Sequence, residues 1–126
     1  MVRISCDPID TEEAYRELSK KGAGSVLLHY AVVKPQDGSD GTTCHIDFSS
    51  DGDSEGELRH IAAEIKSLLN LEDLLLVRRV GRVKLGEVIS VVAATSPNSE
   101  DAFEACRLGI ARLRRMKTIV KNEVRR

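Results

Sequence analysis

Aromatic residues are scarce in this chain: they make up 3% of 126 residues, and tryptophan is absent. A core built from it must be aliphatic, and the aromatic platforms on which nucleic-acid bases stack are missing. Cysteine is sparse too. Cys6, Cys44 and Cys106 are odd in number and far apart in sequence. They fit neither a disulfide framework nor a zinc spacing, and free thiols suit a reducing cytosol. The opening MVRISCDPID has no apolar run of signal length, and no stretch approaches a membrane span. The expected location is therefore the cytoplasm, with no membrane contact. The phosphate-loop, dinucleotide, zinc-protease and serine-hydrolase signatures are all absent.

What is present is an ordinary globular balance of 41% hydrophobic and 31% charged residues, enough for one domain over 1–126 with one core. The net charge of −1 hides an uneven distribution. Asp37, Asp40, Asp47, Asp51, Asp53, Glu55 and Glu57 occupy a stretch free of lysine and arginine. Its spacing lacks the rest of a calcium loop, so it reads as a solvated loop. Arg107, Arg112, Arg114, Arg115, Lys117, Lys121, Arg125 and Arg126 crowd the C-terminal end against a lone Glu123. A helix dipole accounts for one or two of these cations. The remainder imply an anionic counterpart: a phosphate, a carboxylate or an acidic protein. Nucleic acid is disfavoured by the near-zero net charge and the lack of aromatics.

Patterning predicts α+β architecture with a largely antiparallel or mixed sheet and three main helices. Val2–Cys6 reads as a strand. Asp10 or Thr11 caps a helix that ends at Gly22-Ala23-Gly24. Ser25–Val33 reads as a buried strand, and Thr42–Phe48 as the strand that returns beside it. Ser49–Gly56 reads as a mobile loop, Glu57–Leu69 as an amphipathic helix, and Asp73–Val80 and Glu87–Thr95 as strands. Ser99 is the expected N-cap of a helix running through Phe103, Cys106, Ile110 and Leu113, on which Arg114 and Lys117 share one ridge and Arg112 and Arg115 another. Thr118–Val124 is a candidate last strand. Of the histidines, His29 reads as a core or interface residue and His60 as a solvated one.

The order and spacing of Arg79-Val80-Gly81, Gly86-Glu87-Val88, Ser96-Pro97, Ala102-Phe103-Glu104-Ala105-Cys106-Arg107, Leu113 and Lys121-Asn122-Glu123 resemble the large, catalytic subunit of molybdopterin synthase, the MoaE family. Pro8-Ile9-Asp10, Ala23-Gly24-Ser25-Val26 and Ala31-Val32-Val33-Lys34 extend the resemblance over almost the whole chain. It implies an α/β hammerhead-like fold and a homodimer. Each subunit would bind a small ubiquitin-like (MoaD-like) sulfur carrier, giving a heterotetramer. The carrier's C-terminal thiocarboxylate would supply sulfur to cyclic pyranopterin monophosphate, forming the dithiolene of molybdopterin without a metal or other cofactor.

Carried over residue by residue, the resemblance assigns Lys121 to stabilising negative charge as it develops. Arg114 and Lys117 would anchor the carrier tail or the phosphate, with Lys117 standing in for a family lysine that Arg114 replaces. Lys34 would add positive charge from a neighbouring strand, Asn98 would donate one hydrogen bond, and Arg107 belongs to the same anion-binding set. The sequence departs from the family where Arg114 replaces that lysine, Asn98-Ser99 a His-Arg pair, Lys34 an arginine, and Thr118-Ile119-Val120-Lys121 a tryptophan-containing segment. Arginine holds its proton and is a poor proton acceptor. Two alternatives stay open beside sulfur transfer: a family member that binds or regulates with little catalysis, and a generic anion- or nucleic-acid-binding module.

Overall fold

A computed structural model describes residues 1–126. The elements run β1 (Val2–Ser5), α1 (Thr11–Glu17), β2 (Ser25–Val32), β3 (Asp37–Gly38), β4 (Gly41–Ser50), α2 (Ser54–Leu68), β5 (Asp73–Arg79), β6 (Gly81–Lys84), β7 (Val88–Ser96), α3 (Ser99–Arg114) and β8 (Ile119–Arg125). They build a mixed α+β fold of two sheets. The larger has the order β1-β5-β7-β2, with β1 parallel to β5 and the other pairs antiparallel. In the smaller, β4 lies between β6 and β8, and β3 clips its start.

The strand alternation of β5 explains the layers. Leu74 and Leu76 point to the face covered by α2 and α3, where they join Leu58, Ile61, Ile65, Val92 and Leu113. Leu75 and Val77 point to the opposite face, covered by α1 through Ala14 and Leu18. A strand buried on both faces reads as an unbroken apolar run, as this one does. Gly109 lets α3 approach β7: a Cβ there would sit 2.6 Å from Val92 Cγ1. A third cluster, Val33, Ile46, Phe48 and Val83, closes the smaller sheet.

Several expectations need correction. The β4 strand does not return beside β2. It pairs with β6 and β8 in the smaller sheet, while β2 pairs with β7 on one side only. Nor is β2 a buried strand: it is the edge of its sheet and half-buried throughout, with Val32 exposed. The first helix stops at Glu17, well before the glycines. There the Lys20 ammonium donates to the carbonyls of Tyr15 and Leu18, at 2.7 Å each, and Asp73 takes the Ser19 N–H at 2.8 Å. The acidic loop before α2 is shorter than expected, since Asp53 accepts from Gly56 N at 2.9 Å and starts the helix at Ser54. At α3 the N-cap is Asn98, one residue earlier than expected, and its Oδ1 accepts from Asp101 N at 2.8 Å.

Candidate functional site: a cationic cavity at the end of the main sheet

The C-terminal half of α3, the end of the main sheet and the start of β8 enclose a cavity of about 430 Å³. Its floor is one face of three neighbouring strands. Register places Arg78 of β5 beside Ser90 of β7, and Ser90 beside Ala31 of β2, with His29 two residues along. Ile110, Leu113 and Arg114 form the wall on α3, while Phe48 of β4 and Lys121 of β8 close the other side. Lys121 and Phe48 face each other in the β4–β8 ladder. The lining carries three strong cations, Arg78, Arg114 and Lys121, and no acidic residue.

The position of Lys121 depends on the short link between α3 and β8. Glu57, in the first turn of α2, accepts from Lys117 N at 2.8 Å, Thr118 N at 3.0 Å and Thr118 Oγ1 at 2.6 Å. Partial burial works against the Glu57 charge, but these hydrogen bonds outweigh it and hold the carboxyl below its ordinary range. That anchorage fixes where β8 begins. Lys121 itself lies 3.8 Å from Glu123 Oε1. Glu123 is also engaged by Thr43 and Arg125, so the Lys121 ammonium is only loosely held.

Arg78 is 7% exposed and has no carboxylate partner. Its guanidinium stacks on the Phe48 ring at 4.2 Å, and Nη1 reaches the Ile89 carbonyl at a long 3.4 Å. Burial pushes its pKa down to about 10. A desolvated cation facing a cavity is a mark of a functional site. Its neighbour Arg79 is also buried but points to the other face, donating to the Arg82 carbonyl at 3.0 Å. His29 lines the cavity with its Nδ1 buried and unpartnered.

The structure thus brings Arg114 and Lys121 together and leaves the other expected residues elsewhere. Lys117 lies past the end of α3, so it shares no helical ridge with Arg114; its backbone is the part that is used. The Arg112 and Arg115 ridge is likewise lost, since Arg112 pairs with Glu64 and Arg115 is the C-cap. Asn98 spends its amide on capping, with Nδ2 also donating to Asp101 Oδ2 at 3.2 Å. Lys34 is exposed after β2 and does not line the cavity. Arg107 faces an adjacent shallow groove with His29 and Phe103 and is paired with Glu104, its Nε at 2.9 Å from Oε2. Arg78 and His29 were not singled out from sequence as site residues. The available signal was the Arg78-Arg79 pair inside the apolar run DLLLVRRV, since alternation must bury both.

No group of three His, Cys, Asp or Glu side chains converges for a metal. Cys106 is buried against the sheet, which pushes its thiol up to about 11 and leaves it unreactive. No helix is long and apolar enough to cross a membrane.

A family model described as "MoaE protein" matches residues 4–116. The molybdopterin synthase catalytic subunit of Bacillus subtilis is 25% identical over 122 residues, covering 96% of this chain and 77% of that protein. The Drosophila melanogaster protein of the same name is 24% identical over 124 residues; the match covers 98% of this chain but only 34% of the longer fly protein. Among solved structures, molybdopterin synthase from Staphylococcus aureus superposes with a TM-score of 0.88 at 22% identity, covering 98% of this chain and 90% of that one. A complex of subunits 1 and 2 of molybdopterin-converting factor from Helicobacter pylori gives 0.76 at 18% identity, over 97% and 83% of the two chains.

Proposed function

The chain belongs to the MoaE family, and from that premise we propose that it is the large subunit of a molybdopterin synthase, with the cationic cavity as its sulfur-transfer site. Its general role is molybdenum cofactor biosynthesis. In the proposed reaction, sulfur passes from the thiocarboxylated C-terminus of a small ubiquitin-like carrier to cyclic pyranopterin monophosphate. Both reactants are anions, and negative charge builds on the pterin side as the sulfur adds. The observation that carries the reading is the convergence of Arg114 and Lys121, from α3 and β8, on one cavity that contains no acidic group. Cations converging on one cavity without an acidic neighbour stabilise developing negative charge more than scattered surface cations do.

Within this reading Lys121 contacts the reacting centre. It is the only lysine in the lining and is held by a single long contact to Glu123. Arg114 holds the carrier tail or the phosphate by its guanidinium fork. The Helicobacter structure, a complex of two subunits, supports a small carrier as partner. A homodimer is also part of the proposal. The β7 strand is paired on both sides and cannot serve it, whereas β2 leaves its outer edge open. Reconstitution with thiocarboxylated carrier and the pyranopterin tests the assignment. Lys121→Ala should lose most dithiolene formation; a rate equal to wild type removes Lys121 from the chemistry.

A second reading is favoured by one observation: two of the three cavity cations are arginines, which do not act as proton acceptors. A family member that binds carrier or pterin without transferring sulfur would fit that. It requires binding with turnover at the uncatalysed background, and any excess turnover eliminates it.

A further inference from the structure

Arg78 differs from the other two cavity cations. Arg114 and Lys121 are exposed and solvated in the unliganded chain. Arg78 has been taken out of water, and the protein supplies it with little in return: a ring face and one long contact to a carbonyl. An isolated buried cation is costly unless something pairs with it. No lining residue is acidic, so the partner does not come from this chain.

The Arg78 Cζ lies 4.2 Å from the Phe48 ring centroid and Nη1 reaches the Ile89 carbonyl, which leaves Nε and Nη2 without a protein acceptor. Two such N–H groups suit a forked acceptor. The cross-strand neighbour Ser90 adds a hydroxyl on the same face, and Arg114 and Lys121 stand across the cavity. We propose that Arg78 is the receptor for an oxyanion at the floor of this cavity, gripping it through its guanidinium edge with Ser90 beside it, and that the anion is the group that completes its pairing. The inference rests on the cavity being the substrate site and deepens that reading by naming the residue that selects the anion. The oxyanion is either a phosphate monoester or the carboxylate of a Gly-Gly chain terminus; both offer the same fork to an arginine.

Calorimetric titration of the full chain tests this, with inorganic phosphate in one arm and a short peptide ending in Gly-Gly carboxylate in the other. Wild type should bind in at least one arm, and the arm that responds identifies the source of the anion. Arg78→Met should weaken that binding at least tenfold. Arg78→Lys, which keeps charge but loses the fork, should weaken it about fivefold and serves alone if the methionine variant does not fold. Added phosphate or peptide should raise the melting temperature of wild type and raise that of Arg78→Met clearly less at the same concentration, a response that a merely structural arginine would not give. Affinity within twofold of wild type for both variants overturns the proposal, as does the absence of wild-type binding at millimolar concentration in both arms. If Lys121→Ala weakens binding and Arg78→Met does not, this inference fails while the reading of the cavity stands. If Arg78→Met weakens binding in a chain without turnover, sulfur transfer fails and this inference stands.

Discussion

Replacing Arg78 with methionine should make the ligand-free protein more stable. Burial lowers the Arg78 pKa from the ordinary arginine range to about 10. At roughly 1.4 kcal/mol per unit, the folded state carries a penalty on the order of 3 kcal/mol for holding this charge. Against it stand the cation–π contact with Phe48 and the long hydrogen bond to Ile89, together about 1–2 kcal/mol. Methionine fills much of the same volume without a charge. The net gain is about 1–2 kcal/mol, which for a chain of this length corresponds to about 4–8 °C in melting temperature. The penalty is constant near neutral pH, where arginine is protonated both folded and unfolded. It is relieved only as pH rises above about 10, where the folded chain loses a proton that the unfolded chain still binds. Urea and thermal unfolding at pH 7, without phosphate, measure the difference. Saturating anion should shrink the gap or reverse it, because a ligand at a hundredfold the wild-type dissociation constant adds about 2.7 kcal/mol to wild type and at most about 1.4 kcal/mol to a variant that binds tenfold more weakly. A ligand-free Arg78→Met protein less stable than wild type by more than about 1 kcal/mol refutes the reasoning and makes Arg78 a structural residue.

Three further outcomes follow from the geometry. Glu57→Ala removes three hydrogen bonds from the α3–β8 link and should cost about 1–3 kcal/mol in urea unfolding, with slower sulfur transfer because Lys121 is displaced. The Glu57 carboxyl is held below its ordinary value of 4.5, so its contribution is present above that pH and lost as pH falls below it; the alanine variant should show a flatter acid limb. Gly109→Ala should destabilise by about 1–3 kcal/mol despite better helix propensity, since its Cβ would meet the stiff Val92 side chain at 2.6 Å; a stabilised variant would show that α3 shifts freely. Asn98→Ala should cost about 1 kcal/mol through loss of the α3 cap and leave anion affinity unchanged, and a tenfold loss of affinity would return Asn98 to the site.

How legible all this was depended on the reach of the interaction. Local signals served well. The apolar run of β5 and the apolar stripe of α2 are each visible within one element. Pairing partners are non-local, and the β4–β8 ladder joins residues some seventy positions apart with no mark in either strand. The edge position of β2 was hidden for a related reason: Ser25–Val33 is as apolar as a central strand, and only the topology shows that one side is open. At the site, spacing along a presumed long helix put Lys117 beside Arg114, but α3 ends at Arg114, and the link is turned away by Glu57. The resemblance pointed to Arg114 and Lys121, which the fold brings together across α3 and β8. Arg78 lay outside every quoted motif, and its importance comes from what fails to pair with it, which a sequence does not record.

Dithiolene formation by the purified protein, given thiocarboxylated carrier and the pyranopterin, tests the central claim most directly. The account predicts turnover well above the uncatalysed background for wild type, falling to near background in Lys121→Ala while carrier binding persists. Background-level turnover by wild type, with carrier and pterin both bound, would contradict it.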